Sequence, residues 1–501
     1  MRRFESFLTY AALWQLSGVK PDYSSASALA VLVTHLLVEF PRLQCVPLYL
    51  VCLFMCTSSG QESGLWLRVL LAAIMLSGTA AMCLMPVPTK HLYLQSDSYT
   101  VGTKEVTVEL KESHYLSLTS LQLGDDDSDL AKEEQEALLL GPKRDAEDTE
   151  FHADLQTGHI NCRLFYPTES TGRHAPYFRL GRKTAHGIAH GTQMPAAMFW
   201  QVSLASSGAV HDATCLFHNS AHEEDECDYD IQGMPVIVLS HGLKGTADVA
   251  LSLARYYSSR GYLVVCVEHG DGTASLAQTE TGRLQYYLHP KPDMEFTTRM
   301  KWRRRQLRRR VAEIRAVLEA LQEWHEDGMC RIDFDRISLL GHSFGAATVL
   351  TAAALEKPGR LHAVLAHDPW MEPIGPRGSK RMRLNAPVQA TASHQFQRWR
   401  PNWRMCVDLH VHSEQKSVLT YMRETAHQNF VDTGLWSELL SRKVRAIGRD
   451  RPLDVLGKLC SRDLAFLQQG QENESTAVNE SDREELFVSI RADGSENCCA
   501  N

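Results

Sequence analysis

The second half of the chain alternates short apolar runs with helix-like runs, and this alternation limits the possible folds more than any other feature. From Pro235 the order is "PVIVLSHG", "TADVALSLARYYSSRG", "YLVVCVEHGDG", "RRRQLRRRVAEIRAVLEALQEW", "RISLLGHS", "FGAATVLTAAALE" and "LHAVLAHDPW". Continuous Val, Ile and Leu strands separated by helices predict a mostly parallel sheet covered on both faces. Sheets of this kind carry their reactive groups at the carboxyl ends of the strands.

One strand-to-helix junction reads Gly341-His342-Ser343-Phe344-Gly345. A serine hydroxyl is a weak nucleophile until a base removes its proton, and it must also be presented to the substrate. The G-x-S-x-G turn is so tight that the positions two before and two after the serine have no room for side chains. The strand before it and the small-residue helix after it favour Ser343 as a nucleophile over a serine in a packing turn.

The hydrolase order of a catalytic triad is serine, acid, histidine. Asp368 ends a later strand in "AVLAHDPW", and His427 lies in "ETAHQNFVD" after "MCVDLHVHS", a segment predicted to be another strand. His367 is the weaker candidate for the base, because adjacent residues of a strand point to opposite faces. We therefore predict that Asp368 orients the imidazole of His427, and that His427 takes the proton from Ser343.

An oxyanion hole requires two backbone N–H groups aimed at the developing negative charge. One normally belongs to the residue after the nucleophile, here Phe344, and the other to a loop after an earlier strand. The glycine-containing segment "VIVLSHGLKG" supplies such a loop. Leu243 is predicted to be the second donor.

The first 88 residues differ from the rest because they contain three apolar runs, at residues 26–40, 46–56 and 65–85. The last run has about 20 residues, enough to cross a hydrocarbon core. We predict a membrane region with one to three transmembrane helices. The two earlier runs leave open one kinked span, two short spans or a re-entrant hairpin, and all three could instead be buried helices of a soluble domain. A cleaved signal peptide fits less well, since Glu5 interrupts the first apolar stretch.

The remaining organisation follows from composition. Residues 89–465 are predicted to form the catalytic domain, with polar insertions near 116–150 and 205–232, and residues 466–501 a polar, disordered tail. The second insertion contains Cys215, His218, His222 and Cys227, which could be metal ligands, but a plain surface loop is the expectation. No metal or other cofactor is predicted.

Charge gives little reason to expect a nucleic-acid partner, because the net charge is -8 and the pI is near 6.3. The basic run "KWRRRQLRRR", Lys301 to Arg310, is a local exception. Its expected explanation is the charged outer face of a long amphipathic helix.

Five ordered motifs together resemble one family: "SHGLKG", "EHGDGTAS", "ISLLGHSFGAATV", "HDPWMEPIG" and "HQNFVD" are similar to those of the platelet-activating factor acetylhydrolases, also called group VII phospholipases A2. The likeness covers roughly residues 86–440 outside the two insertions. It implies an α/β-hydrolase fold with Ser343, Asp368 and His427 as the triad, and Leu243 and Phe344 as oxyanion donors. It also implies a calcium-independent, metal-free enzyme acting on phospholipid at a membrane surface.

The expected function is that of a 1-alkyl-2-acetylglycerophosphocholine esterase, which removes acetyl, short or oxidised acyl groups from the sn-2 position through an acyl-enzyme. Two alternatives stay open: a general carboxylesterase or lipase acting on other esters, and a non-catalytic membrane protein on the same scaffold. The apolar N-terminal region predicts an integral membrane protein. The segment "SHQFQRWRPNWRMC" looks shortened relative to the family, so acyl-chain preference and oligomeric state are left open.

Overall fold

The computed structural model describes residues 98–116, 158–218, 233–468, 487–490 and 496–497, together with single helical positions between residues 33 and 77. The chain divides into two compact units. One unit comprises Met1–Pro88 and Trp436–Lys443. The other comprises Thr89–Leu435 and Val444–Asn501 and contains all the described strands.

The strands and helices follow each other in the alternating order that the sequence predicts. The strands are β1 Thr100–Leu110, β2 Gly158–Thr168, β3 His174–Pro176, β4 Ser206–His211, β5 Met234–Ser240, β6 Leu263–Glu268, β7 Leu276–Gln278, β8 Leu284–Tyr286, β9 Ile332–His342, β10 Ala363–His367, β11 Val388–Ser393, β12 Ser417–Met422, β13 Phe487–Ile490 and β14 Glu496–Asn497. The α-helices are α1 Arg182–Thr192, α2 Leu251–Ser258, α3 Phe296–Glu326, α4 Phe344–Leu355, α5 Gly375–Arg381, α6 His394–Arg398, α7 Arg400–Val411, α8 Thr433–Trp436, α9 Glu438–Lys443 and α10 Pro452–Gln468. The 3₁₀ turns are Glu112–His114, Ala196–Met198, Val202–Leu204 and His427–Phe430.

Twelve of the strands form one sheet in the order β14-β13-β12-β11-β10-β9-β5-β6-β2-β1-β4-β3. The central strands from β12 to β6 are all parallel. Antiparallel neighbours flank them, β2 beside β6 and β13 beside β12. The predicted mostly parallel sheet is therefore confirmed. Its centre reads as continuous apolar runs because helices cover both faces; every residue of β6, for example, is buried.

The register of the central strands brings three strand ends together. Ser240 of β5 pairs with Gly341 of β9, and His342 pairs with His367 of β10. The loop after β5, the turn after β9 and the residue after β10 therefore lie side by side at the carboxyl edge of the sheet. This is the edge where a sheet of this class places its site.

One predicted strand is wrong. The segment "MCVDLHVHS" belongs largely to α7, Arg400–Val411, and the neighbouring strands are β11 and β12. The buried residues of this helix include Asn402, Met405 and Leu409, which are spaced at helical intervals. Proline occupies one of the first two helical positions, where its missing N–H costs nothing. The alternation of apolar and polar residues over so short a run is therefore misleading.

The predicted insertions, tail and N-terminal region lie only partly within the described residues. The insertion near 116–150 lies almost wholly outside the described residues, whereas part of the segment 205–232 forms β4, which pairs with β1. The predicted tail begins within α10 and contributes β13 and β14. No helix within the described ranges is both long and apolar enough to cross a membrane. The three apolar N-terminal runs lie, apart from single helical positions, outside those ranges.

Candidate active site

Ser343 occupies a sharp turn between β9 and α4. Its backbone has φ 59° and ψ -117°, a conformation that non-glycine residues rarely adopt. A Cβ on Gly345 would overlap the carbonyl oxygen of Ser240, and one on Gly341 would overlap the carbonyl oxygen of Gly345. The two motif glycines are thus required by close backbone approach, and the turn holds Ser343 at the strand end with 9% of its surface exposed.

Asp368 and His427 form a hydrogen-bonded pair near this turn. Nδ1 of His427 lies 2.9 Å from Oδ2 of Asp368, which is fully buried. The same carboxylate accepts hydrogen bonds from the backbone N–H of Ser393, and from its hydroxyl at 2.7 Å. A buried carboxylate with three donors is fixed in position. Because an ionised carboxylate only accepts, Nδ1 of His427 carries the proton, and Nε2 is the nitrogen left to act as a base.

The imidazole of His427 is held between two other rings. The centroid of His342 lies 4.4 Å from it on one side, with an interplanar angle of 29°. The centroid of Phe396 lies 4.4 Å away at an angle of 7°. The backbone N–H of His427 donates to Oε1 of Gln395 at 2.9 Å. These contacts fix the plane of the ring as well as its position.

His342 is kept neutral next to this ring. Burial, together with the neighbouring His427 and His367, holds the pKa of His342 well below its usual range. Its Nε2 lies 3.2 Å from the carbonyl oxygen of His427, which requires a proton on that nitrogen. A neutral stacking partner does not oppose the positive charge that His427 acquires when it accepts a proton.

The two predicted oxyanion donors lie on the segments that meet at Ser343. Phe344 is the first residue of α4. Its N–H is therefore one of the four backbone N–H groups that have no hydrogen-bond acceptor within the helix. The loop carrying Leu243 passes close to the nucleophile, because a Cβ on Gly242 would lie 2.9 Å from Cβ of Ser343. The backbone around Ser343 can therefore offer two N–H groups to a substrate oxygen.

The basic run on α3 turns inward, which corrects the expectation of an outer charged face. Arg303, Arg309 and Arg310 are only 3%, 6% and 0% exposed. Arg310 donates to the carbonyl oxygen of His241 at 2.6 Å, and its guanidinium lies 4.8 Å from the ring centroid of Phe344. Periodicity predicts the helix but not this burial, which depends on the groups that each arginine contacts. Arg310 thus contacts both segments that carry the predicted donors.

Two further candidates have other partners. His367 is buried, with Nε2 2.9 Å from Oδ2 of Asp463, so its carboxylate partner is not Asp368. Cys215 is buried with its sulfur 3.9 Å from that of Met234, while His222 and Cys227 lie outside the described residues. Of the four residues considered as metal ligands, the structure thus describes Cys215 and His218, and Nδ1 of His218 lies 2.9 Å from the carbonyl oxygen of Cys215.

Within the ranges that the structure describes, one group has metal-ligand spacing: His342, Asp368 and His427, whose ligand atoms lie within 4.8 Å of one another. Asp368 binds His427 and Ser393, and Nε2 of His342 faces a carbonyl oxygen. These hydrogen bonds describe an acid–base pair. The geometry suits proton transfer next to a serine.

Sequence reasoning missed the residues that hold the pair, namely Ser393, Gln395 and Phe396. All three lie where β11 gives way to α6, and Ser393 also caps that helix by accepting from the N–H of Phe396. One signal was available, because β11 is the parallel neighbour of β10 and its carboxyl end lies at the same sheet edge. The stacking and the bond from His427 join residues about thirty positions apart, which no local pattern reveals.

Comparison with known proteins gives a family match. A family model described as platelet-activating factor acetylhydrolase, isoform II, matches residues 145–486. The platelet-activating factor acetylhydrolase of Gallus gallus is 26% identical over 269 residues, covering 47% of this chain and 61% of the relative. That of Bos taurus is 28% identical over 261 residues, covering 47% and 56%. The chain thus spans less than two thirds of the length of these curated relatives.

A solved structure shows the same fold. The ferulic acid esterase from Streptomyces cinnamoneus superposes with a TM-score of 0.53 and 15% sequence identity, covering 80% of this chain and 99% of that chain. At that identity the likeness concerns the fold alone. It agrees with the α/β-hydrolase fold that the strand order and the strand-to-helix turn at Ser343 indicate.

Proposed function

Because the chain belongs to the platelet-activating factor acetylhydrolase isoform II family, we propose that it hydrolyses the sn-2 acetyl, short or oxidised acyl ester of platelet-activating factor-like glycerophospholipids. The reaction proceeds through an acyl-enzyme on Ser343. The observation that carries the proposal is the Asp368–His427 pair, joined at 2.9 Å, beside a serine in a strained strand-to-helix turn.

In the first half-reaction the Ser343 oxygen attacks the sn-2 carbonyl carbon while Nε2 of His427 accepts the hydroxyl proton. Asp368 stabilises the imidazolium through the bond to Nδ1. The N–H groups of Leu243 and Phe344 bind the oxyanion, and each donor contributes on the order of 10²- to 10³-fold to the rate. The ester C–O bond then breaks, and His427 returns the proton to the departing lysophospholipid oxygen.

In the second half-reaction a water molecule replaces the alcohol. His427 takes a proton from the water as its oxygen attacks the acyl carbon, and the same proton passes to the Ser343 oxygen when the acyl bond breaks. The fatty acid leaves and the serine is restored. Each proton transfer uses His427 and each oxyanion uses backbone donors. The proposed calcium independence is supported by these roles, because His427 and the backbone N–H groups together supply every proton transfer and every oxyanion contact in the scheme.

The test is a substrate panel with the full chain purified in detergent. We expect release of acetate from 1-alkyl-2-acetylglycerophosphocholine, unchanged turnover when a calcium chelator is added, and little release of a long unoxidised sn-2 chain. Turnover of simple esters without turnover of the phospholipid would indicate a general carboxylesterase. Absence of any turnover in a folded protein that also fails to react with a fluorophosphonate would indicate a non-catalytic scaffold.

We also propose that the N-terminal region attaches the enzyme to a membrane as an integral segment. Support comes from the three apolar runs and from large side chains exposed at helical positions, among them Leu50 at 61%, Trp66 at 86% and Leu70 at 56%. Exposed apolar area of this kind favours a lipid environment.

Alkaline carbonate extraction of membranes tests this attachment. We expect the full chain to stay in the pellet and to need detergent for release. The variant Ile74→Lys places a charge inside the third apolar run, which costs about 3 kcal/mol in a membrane helix, and it should shift protein into the supernatant. Complete release of the unaltered chain by carbonate would contradict integral attachment.

A further inference from the structure

Several buried carboxylates near the site are paired with arginines. Four buried carboxylates around the ends of β5 and β6 have an arginine within ion-pair distance. The pairs are Asp248–Arg163 at 2.6 Å, Glu268–Arg179 at 2.7 Å, Glu313–Arg309 at 2.8 Å and Asp271–Arg310 at 3.1 Å. Such pairing is the usual condition for keeping a charge out of water. In the part of the chain that the structure describes, the half-buried Lys244 and the buried Arg303 lie in the same region without such a partner.

Arg303 and Lys244 face the same aromatic ring. Arg303 donates to the hydroxyl of Tyr287 at 2.8 Å and to Oε1 of Gln306 at 2.6 Å, both neutral groups. Nζ of Lys244 lies 5.4 Å from the ring centroid of Tyr287, and the Arg303 guanidinium lies 5.9 Å from it. In the described ranges neither cation has a carboxylate partner. Two positive charges thus lie near each other without a counter-charge.

The pKa of Lys244 reflects this environment. Burial of its half-buried side chain, and secondarily the nearby Arg303, lower the pKa of the ammonium group. Both causes penalise the charged form. A bound anion would remove both penalties, because it would replace lost hydration and screen the like charge. The arrangement therefore favours an anionic ligand over an empty site.

Lys244 is also well placed relative to the reaction. It directly follows Leu243, the proposed oxyanion donor, in the loop that touches Ser343 through Gly242. Its φ is 61°, a region that side chains avoid. The strained residue is held by its own N–H, which donates to the carbonyl oxygen of Thr273 at 2.8 Å, and by the Ser275 hydroxyl, which donates to its carbonyl oxygen. A lysine at this φ carries conformational strain that a glycine would avoid, which points to a function for its side chain.

We propose that Lys244, supported by the charge of Arg303 behind Tyr287, binds the phosphate of the substrate's head group while Ser343 attacks the sn-2 ester. This inference rests on the proposed function and deepens it. In a glycerophospholipid five covalent bonds separate the sn-2 carbonyl carbon from the phosphorus. An enzyme that holds the carbonyl at Leu243 therefore meets the phosphate close to the same loop, and it selects phosphate-bearing esters over neutral ones.

The test compares two substrates that differ only in the head group, dibutyrylphosphatidylcholine and 1,2-dibutyrylglycerol, with the full chain in detergent. We expect Lys244→Met to lower kcat/KM for the phospholipid about 10- to 100-fold, the usual effect of losing a charge-assisted hydrogen bond. The loss should fall mainly on KM. Turnover of the diglyceride should hardly change, and Lys244→Arg should retain most activity on the phospholipid.

The matched control is Lys183→Met, which removes an exposed lysine from α1, the helix whose Gly191 lies near Lys244. It should alter neither substrate. Equal losses on both substrates in Lys244→Met would mean that the residue only supports the loop, and unchanged phospholipid kinetics would mean that the phosphate lies elsewhere; either result overturns the inference. If the unaltered enzyme cleaves only the diglyceride, the proposed function fails first.

Discussion

Replacing Ser343 with alanine is expected to lower kcat on the order of 10⁵- to 10⁶-fold on every ester substrate, the size of effect seen when a serine hydrolase loses its nucleophile. The alanine has no oxygen to form the acyl-enzyme, whereas Asp368 and His427 keep their bond. Fold stability should change little, since the Ser343 side chain makes no capping hydrogen bond to α4. Reaction with a fluorophosphonate probe, followed by mass measurement of the intact protein, gives the readout.

Ser338→Ala supplies the comparison. Ser338 lies near the middle of the preceding strand, β9, and is buried with 1% of its surface exposed, five residues before Ser343. This variant should label and turn over like the unaltered chain. Equal labelling of the Ser343 and Ser338 variants would show that the probe reacts with another residue, and the nucleophile assignment would fall.

Asp368→Asn is expected to reduce kcat by about 10⁴-fold through the wrong imidazole tautomer. The oxygen of the new amide would accept from Ser393, whose N–H and hydroxyl both donate to the carboxylate. Its NH₂ group would then face Nδ1 of His427 and donate to it. The proton of the imidazole would move to Nε2, which could no longer accept the proton of Ser343.

A second His–carboxylate pair in the same protein provides the control. Asp463→Asn changes the acid bonded to His367, the residue next to Asp368, and this acid also accepts from Tyr257 and Gln389. The variant should lose stability but keep its rate per active site, as counted by fluorophosphonate titration. A comparable fall in rate for both variants would refute the assignment of the catalytic acid to Asp368.

The parts of the site that the sequence predicts are those encoded locally. The strand-to-helix turn at Ser343 is predictable because so tight a turn requires glycine at positions 341 and 345. The strand before it has its own apolar pattern. The choice of His427 over His367 followed from the alternation of side chains along a strand. The structure agrees, since it pairs His367 with Asp463 and His427 with Asp368.

The parts that sequence did not predict depend on contacts between distant segments. The arginines of α3 look like a solvated face because a periodic pattern cannot say which charges meet a buried partner in another segment. Arg310, for example, meets Asp271, 39 positions away. The strand predicted at "MCVDLHVHS" is a helix because its burial is set by neighbours, not by its own alternation. Phe396 carries no local mark of its position over His427.

The rings of His342 and Phe396 on either side of His427 determine how the reaction can proceed in space. Because the His427 ring is stacked on both faces, it cannot rotate between Ser343 and a leaving alcohol. Its Nε2 must therefore accept the serine proton and donate it to the alcohol from one fixed position. In the proposed reaction the departing alcohol and the incoming water consequently pass in turn through the same small volume.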